Sequence, residues 1–210
     1  YFNLISGQLK ASAGNVQMAM VADDRVRLPG IDAAACRARG VRLVNTPGRN
    51  ASAVAEFTIG AILAETRLIR AGHEALRQGH WRGDLYRADR TGTELSELTV
   101  GLIGYGFIGT RVVKLLKPFG CRILVCDPYK QLVPQDIADG VVMVDLDTLL
   151  AQSDVVSLHA RVTDETRGFL AAPQFARMKE GATFINTARG PMVDYEALRE
   201  ALESRHLRGA

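Results

Sequence analysis

The chain has 210 residues, 47% hydrophobic and 23% charged, enough to bury one substantial core with a small second unit beside it. Twenty-six Lys and Arg against 23 Asp and Glu leave a net charge of +3, too weak an imbalance to make nucleic acid or an anionic membrane the expected partner. Cys36, Cys121 and Cys126 are odd in number and lack Cys-x-x-Cys spacing, which argues against a disulfide framework or zinc ribbon and points to a reducing, cytoplasmic setting.

Residues 1–29 mix Ser, Gly, Asn, Gln and Met without a period of two or 3.6, so their structure stays open. The opening YFNLISGQLK has no basic stretch followed by an apolar one, and no apolar run approaches the roughly 20 residues that span a bilayer, so neither a signal peptide nor an anchor is expected. Asp32 can cap a short helix through Ala33, Ala34, Ala35 and Cys36 that stops at Gly40, and Val41–Val44 reads as a strand. Thr46-Pro47-Gly48 marks a turn. A long helix is expected from Ala51 to about Gln78, with Val54, Phe57, Ala61, Leu68 and Leu76 at spacings compatible with one face and Trp81 packing at its end. Arg82 to Glu97 is polar with turn residues at both ends and reads as a surface connection.

From Leu98 onward short apolar runs alternate with amphipathic segments. Strands are expected at Thr99–Ile103, Arg122–Cys126, Val141–Val144, Asp154–His159 and Ala182–Thr187. Helices are expected at Thr110–Phe119, with Val112, Val113, Leu115, Leu116 and Phe119 on one face, and near Asp147–Gln152, Pro173–Lys179 and Tyr195–Leu202. Strands that are nearly continuous in Val, Ile and Leu and alternate with helices predict an α/β fold, a doubly wound parallel sheet of Rossmann type covered on both faces. No internal repeat interrupts it.

Gly104-Tyr105-Gly106-Phe107-Ile108-Gly109 follows the first of these strands directly and opens the next helix. In that setting Gly104 permits the tight turn, Gly106 lets a pyrophosphate approach the backbone, and Gly109 allows the helix to pack on the strand. The phosphates would sit at the helix N-terminus, although the loop could also be a ligand-free glycine turn. Asp127 ends the second strand 21 positions after Gly106, about where a carboxylate accepts hydrogen bonds from an adenosine ribose. This favours NAD; nearby Lys130 keeps NADP open, and Asp127 before Pro128 could be a simple turn residue.

These motifs, with Ser153-Asp154-Val155-Val156-Ser157-Leu158-His159, Thr163-x-x-Thr166-Arg167-Gly168 and Ile185-Asn186-Thr187-Ala188-Arg189-Gly190-x-x-Val193-Asp194, resemble the D-isomer-specific 2-hydroxyacid dehydrogenase family, and in particular its phosphoglycerate dehydrogenase-like members. Val44-Asn45-Thr46-Pro47-Gly48 and Val54-Ala55-Glu56 resemble that family's approach to its first interdomain helix, so the likeness covers roughly residues 30 to 210. The resemblance implies a two-domain enzyme that transfers a hydride between NAD(H) and a D-2-hydroxyacid/2-oxoacid pair, commonly as a homodimer. Residues 1–50 would be part of the substrate-binding domain and 51–210 the NAD-binding domain. Arg189 matches the arginine that holds the substrate carboxylate and polarises its carbonyl, a role suited to a planar guanidinium fork; a surface pair with Asp194 is the alternative. Phe107 and Ile108 match positions whose backbone meets the pyrophosphate, and Ala160, Thr187 and Ala188 match loops lining the ribose and nicotinamide.

His159 ends its strand at the same edge but does not match the family's proton-transferring histidine, and reads as cofactor-lining or structural. His73, His80 and His206 read as solvated or helix-terminal residues. Neither the family's acid/base histidine nor its glutamate has a matching position, and the last sheet strand is expected to fall beyond Ala210. The segment Val21 to Gly30, where the family's carboxylate-binding glycine loop belongs, carries Asp23 and Asp24 instead, with Arg25 or Arg27 as possible substitutes. Other readings are an NAD-binding or corepressor-like module without turnover, and a formate dehydrogenase-like or homocysteine hydrolase-like relative. No metal site is expected.

Overall fold

Six segments of the sequence pair side by side, all parallel, in the computed structural model, which describes residues 18–21, 38–40, 42–45 and 47–210. The chain divides into two units, Tyr1–Asn50 and Ala51–Ala210. In the first, β1 (Met18–Val21) lies parallel to β2 (Arg42–Asn45), with Met18 opposite Arg42 and Val21 opposite Asn45. β1 falls in the segment whose pattern left the structure open, and β2 sits one residue later than the expected Val41–Val44. The Asp32-capped helix and the segment Asp23–Arg27 lie outside the described residues.

The second unit is the doubly wound α/β sheet that the alternating pattern predicts. Its strands are β3 (Thr99–Ile103), β4 (Arg122–Cys126), β5 (Val142–Met143), β6 (Val155–Leu158), β7 (Ala182–Asn186) and β8 (Leu207–Gly209), in the order β5-β4-β3-β6-β7-β8. The sixth strand, expected beyond Ala210, is Leu207–Gly209, and pairs with β7. Because successive strand residues face opposite ways, β3 sends Val100 and Leu102 into a cluster with Ala55, Ile62, Val112, Val113 and Leu116, and Ile103 into a cluster with Leu149, Leu150, Phe175 and Phe184. The Phe175 and Phe184 rings meet edge to face, 5.5 Å apart. Both faces are therefore dry, as a parallel sheet requires.

Four sequence expectations are corrected. The long helix is two, Ala51–Thr66 and Ile69–Arg77, because Leu68 adopts a left-handed φ of 58°. Gly92 presses its backbone onto Thr66 and Arg67 there, where any Cβ would collide, and accepts a 3.0 Å hydrogen bond from Arg67 Nη1. The buried face of the first helix is Ala51, Ala55, Thr58, Ile62 and Thr66, while Phe57 and Leu76 are exposed. That helix is apolar nearly all round, so its sequence pattern marks no single face, and small residues on one side let it approach the helix Phe107–Leu116. Trp81 is 73% exposed rather than packed. The helix expected at Thr110–Phe119 starts inside the glycine loop at Phe107 and gives way to a 3₁₀ turn, Lys117–Phe119, which leaves Leu115 and Phe119 partly exposed. A short helix at Pro134–Ala138 was not expected. Among the described residues no helix is long and apolar enough to cross a membrane.

Candidate functional site

β3 is the point where strand order reverses, since its neighbours β4 and β6 lead away in opposite directions. In open parallel sheets the crevice at such a point, at the carboxyl ends of the strands, receives ligands. The sequence puts its glycine loop there. Gly104 has φ +107°, its N–H donates to the Cys126 carbonyl at 2.8 Å, and a Cβ on it would come within 2.7 Å of the His159 carbonyl carbon and 2.8 Å of the Ala160 nitrogen. A Cβ on Gly109 would strike the Gly104 carbonyl oxygen. Packing inside the protein thus demands glycine at both positions.

Gly106 is different. Its φ is −85°, open to any residue, and a Cβ there would meet nothing within 4 Å. Neither strain nor packing asks for glycine; a side chain would only fill the space before the first turn of the helix Phe107–Leu116. The first bond of that helix runs from Thr110 N to Gly106 O, so the amides of Phe107, Ile108 and Gly109 have no acceptor within the helix and face an anion's position. This cradle fits a dinucleotide pyrophosphate and speaks against a ligand-free glycine turn.

Asp127 closes the same crevice from β4. One carboxylate oxygen accepts the Tyr105 N–H of the glycine loop at 2.8 Å and the other accepts the Tyr129 N–H at 2.9 Å. It is therefore a turn residue and a loop anchor together, and each oxygen keeps a lone pair for a ribose hydroxyl. The buried Tyr105 ring reaches the other way, its hydroxyl donating to Asp136, which is paired with Lys117.

From β6 comes His159, 8% exposed, whose N–H donates to the Ile103 carbonyl at 2.7 Å. Its Nε2 lies 2.9 Å from Ser157 Oγ and its Nδ1 3.5 Å from Thr187 Oγ1. Burial pushes the imidazole pKa from 6.5 down to about 4, so the ring is neutral at physiological pH. Half-buried Ala160 follows it. From β7 come Thr187, Ala188 and exposed Arg189. Asn186 ties this loop together: its Oδ1 accepts from Ala188 N at 3.0 Å and its Nδ2 reaches the Arg189 carbonyl and Tyr195 hydroxyl at 3.4 Å. The Arg189 guanidinium donates to the Ala188 carbonyl at 2.7 Å and has no carboxylate partner among the described residues; Asp194 caps the helix Tyr195–Glu203 instead. A cavity of about 290 Å³ opens between Ala53, Val54 and Phe57 on one side and Asn186 and Thr187 on the other.

The structure thus gathers Gly104, Gly106, Phe107, Ile108, Gly109, Asp127, His159, Ala160, Thr187, Ala188 and Arg189 at the carboxyl ends of β3, β4, β6 and β7. Sequence reasoning missed Ser157, Thr58 and Tyr105. Ser157 could have been found two residues before His159 on the same strand face, and Thr58 as the polar member of a row of small and apolar helix residues. Among the described residues no group of His, Cys, Asp or Glu is placed to hold a metal ion.

Fold and loop together define a dinucleotide-binding domain of the doubly wound class. Residues 59–210 match the sequence profile described as D-isomer specific 2-hydroxyacid dehydrogenase, NAD binding domain, and the chain belongs to that family. It is 41% identical to the glyoxylate reductase of Thermofilum pendens over 180 residues, 86% of this chain and 53% of that protein. It is 36% identical to the D-3-phosphoglycerate dehydrogenase of Archaeoglobus fulgidus over 207 residues, 96% of this chain and 38% of that protein. Among solved structures, D-2-hydroxyisocaproate dehydrogenase superposes with a TM-score of 0.81 at 31% identity, covering 92% of this chain and 56% of that one. The chain spans about half the length, or less, of these relatives.

Proposed function

We propose that this chain is the NAD-binding part of an oxidoreductase that interconverts a small D-2-hydroxyacid and its 2-oxoacid. The observation that carries the reading is Gly106, a glycine that the protein's own packing does not require, set before a helix N-terminus with Asp127 beside it. NAD, when bound, supplies the hydride acceptor or donor. The chain's residues do the rest: the amides of Phe107, Ile108 and Gly109 take the pyrophosphate, Asp127 the adenosine ribose, and the ends of β6 and β7, through His159, Ala160, Thr187 and Ala188, the nicotinamide side. Exposed Arg189, without a carboxylate partner among the described residues, is suited to hold a substrate carboxylate through its fork. On this reading residues 51–210 form the cofactor domain and residues 1–50 part of the substrate-binding domain.

His159 does not transfer the proton, since a neutral buried ring with both nitrogens facing hydroxyls is poorly set to do so. His73 and His80 are exposed on or after the helix Ile69–Arg77, and His206 bonds the Phe175 carbonyl. None of these four histidines is therefore placed to give the proton. The free thiols of Cys121 and Cys126 support a cytoplasmic location. A homodimer is supported by Ile69, Leu76, Trp81 and Tyr86, all more than half exposed on or after a helix that buries no residue within its own unit.

Calorimetric titration with NADH, followed by NADH oxidation with glyoxylate, hydroxypyruvate and phosphohydroxypyruvate, tests the reading. The expected result is binding with turnover depressed by about 10²- to 10⁴-fold, the usual contribution of general acid–base catalysis. Absence of binding would overturn the cofactor assignment, and rapid turnover would overturn the exclusion of His159.

A further inference from the structure

Four side chains form one hydrogen-bonded file from β6 to the helix Ala51–Thr66, and the hydrogens in it can be assigned in turn. Thr58 Oγ1 lies 2.8 Å from the Val54 carbonyl oxygen. A carbonyl has no hydrogen to offer, so the Thr58 hydroxyl donates there. Thr187 Oγ1 is 3.0 Å from Thr58 Oγ1. The only hydrogen of Thr58 is already committed, so the one in this contact belongs to Thr187. Thr187 then has none left for His159 Nδ1, and that 3.5 Å contact requires the ring hydrogen to sit on Nδ1. A neutral ring protonated at Nδ1 presents a bare Nε2, to which Ser157 Oγ donates across 2.9 Å.

Thr187 also lines the cavity of about 290 Å³ beside Ala53, Val54 and Phe57. The other polar residue there, Asn186, is occupied by Ala188, Arg189 and Tyr195. Of the side chains there, what remains for a ligand is one lone pair on Thr187 Oγ1, since the other receives the His159 N–H. The cavity therefore suits a flat apolar ring bearing a hydrogen-bond donor, and disfavours a carbonyl turned toward Thr187.

We propose that Thr58 and His159 are positioning residues that hold the Thr187 hydroxyl as an acceptor toward this cavity, where it receives the carboxamide NH₂ of the cofactor's nicotinamide ring. The inference rests on the reading of the chain as NAD-binding. Direction, not mere proximity, is the content: the file begins at Ser157, ends at the Val54 carbonyl, and leaves Thr187 no hydrogen to give.

Two measurements on the 210-residue protein test it. Nitrogen NMR of the ligand-free protein reads the His159 tautomer, expected to be Nδ1-protonated; an Nε2-protonated ring overturns the proposal. Calorimetry then compares NADH with its 3-acetylpyridine analogue, in which a methyl replaces the carboxamide NH₂. The protein should favour NADH by about 3- to 10-fold, the range of one neutral hydrogen bond. Thr187→Val should abolish that preference. Thr58→Val, which frees the Thr187 hydrogen, should reduce it and shift the tautomer signal, and Thr58→Ser should restore both. Equal binding of the two dinucleotides by the unsubstituted protein overturns this inference alone. Binding of neither overturns the NAD reading, and the named ligand with it, whatever the tautomer.

Discussion

At His159 burial has a consequence for stability. The folded protein holds this ring neutral to about pH 4, whereas the unfolded chain protonates it near 6.5. Between those values the unfolded state binds the extra proton, so the contribution of the neutral ring is complete above pH 6.5 and is lost as the pH falls toward 4. Denaturant unfolding at pH 7.5 and 4.5 should show a loss about 2 kcal/mol larger than in His159→Gln. Equal losses in both proteins would mean that the ring is not held neutral. The residues of the site differ in how far the sequence revealed them. Gly106 and Asp127 stand at fixed offsets from a strand and a helix, and those offsets are local. Thr58 and Thr187 are 129 residues apart, and no spacing records a hydrogen bond of that kind.

At the level of elements, the glycine loop separates two kinds of necessity. Gly109→Ala drives a Cβ onto the Gly104 carbonyl and should destabilise the unit by about 1–3 kcal/mol. Gly106→Ala meets no protein atom and should stay within about 1 kcal/mol of the parent in stability while losing at least about 10-fold in NADH affinity. Unfolding curves and calorimetry on the two variants check this, and equal damage to stability from both would remove the distinction. The five strands between Thr99 and Asn186 were legible because a parallel sheet buried on both faces needs continuous apolar runs, as in Val155–Leu158, whereas Leu207–Gly209, with Arg208 and Gly209, carries no such run. The helix Ala51–Thr66 was legible as a helix but not in its facing, since apolar residues surround it. Its break at Leu68 was hidden because no Gly or Pro marks it locally, and Gly92, whose backbone seats against Thr66 and Arg67 there, lies more than twenty residues downstream.

For the molecule as a whole, the reversal of strand order at β3 assembles a site from loops that are far apart in the chain, and the alternating pattern implies a parallel sheet without giving the order of its strands. The helix Ile69–Arg77 buries none of its residues within its own unit, and Trp81 beyond it is the only tryptophan. In a homodimer joined there, Trp81→Asp should sediment as a monomer while keeping NADH binding, and the parent as a dimer; two monomers would remove the dimer from the reading.

The file that ends at Val54 also has a place in time. A chain made at about 5–20 residues per second reaches Thr187 roughly 6–26 s after Thr58 has emerged. The Thr58 hydroxyl needs nothing from Thr187 for its own bond, whose partner lies four residues back on the same helix. In the folded site Thr187, on the loop after β7, thus meets a hydroxyl whose hydrogen is already given to Val54 and which can only accept. The Val54 carbonyl, which can only accept, sets the polarity of the finished site whatever the order in which its parts come together.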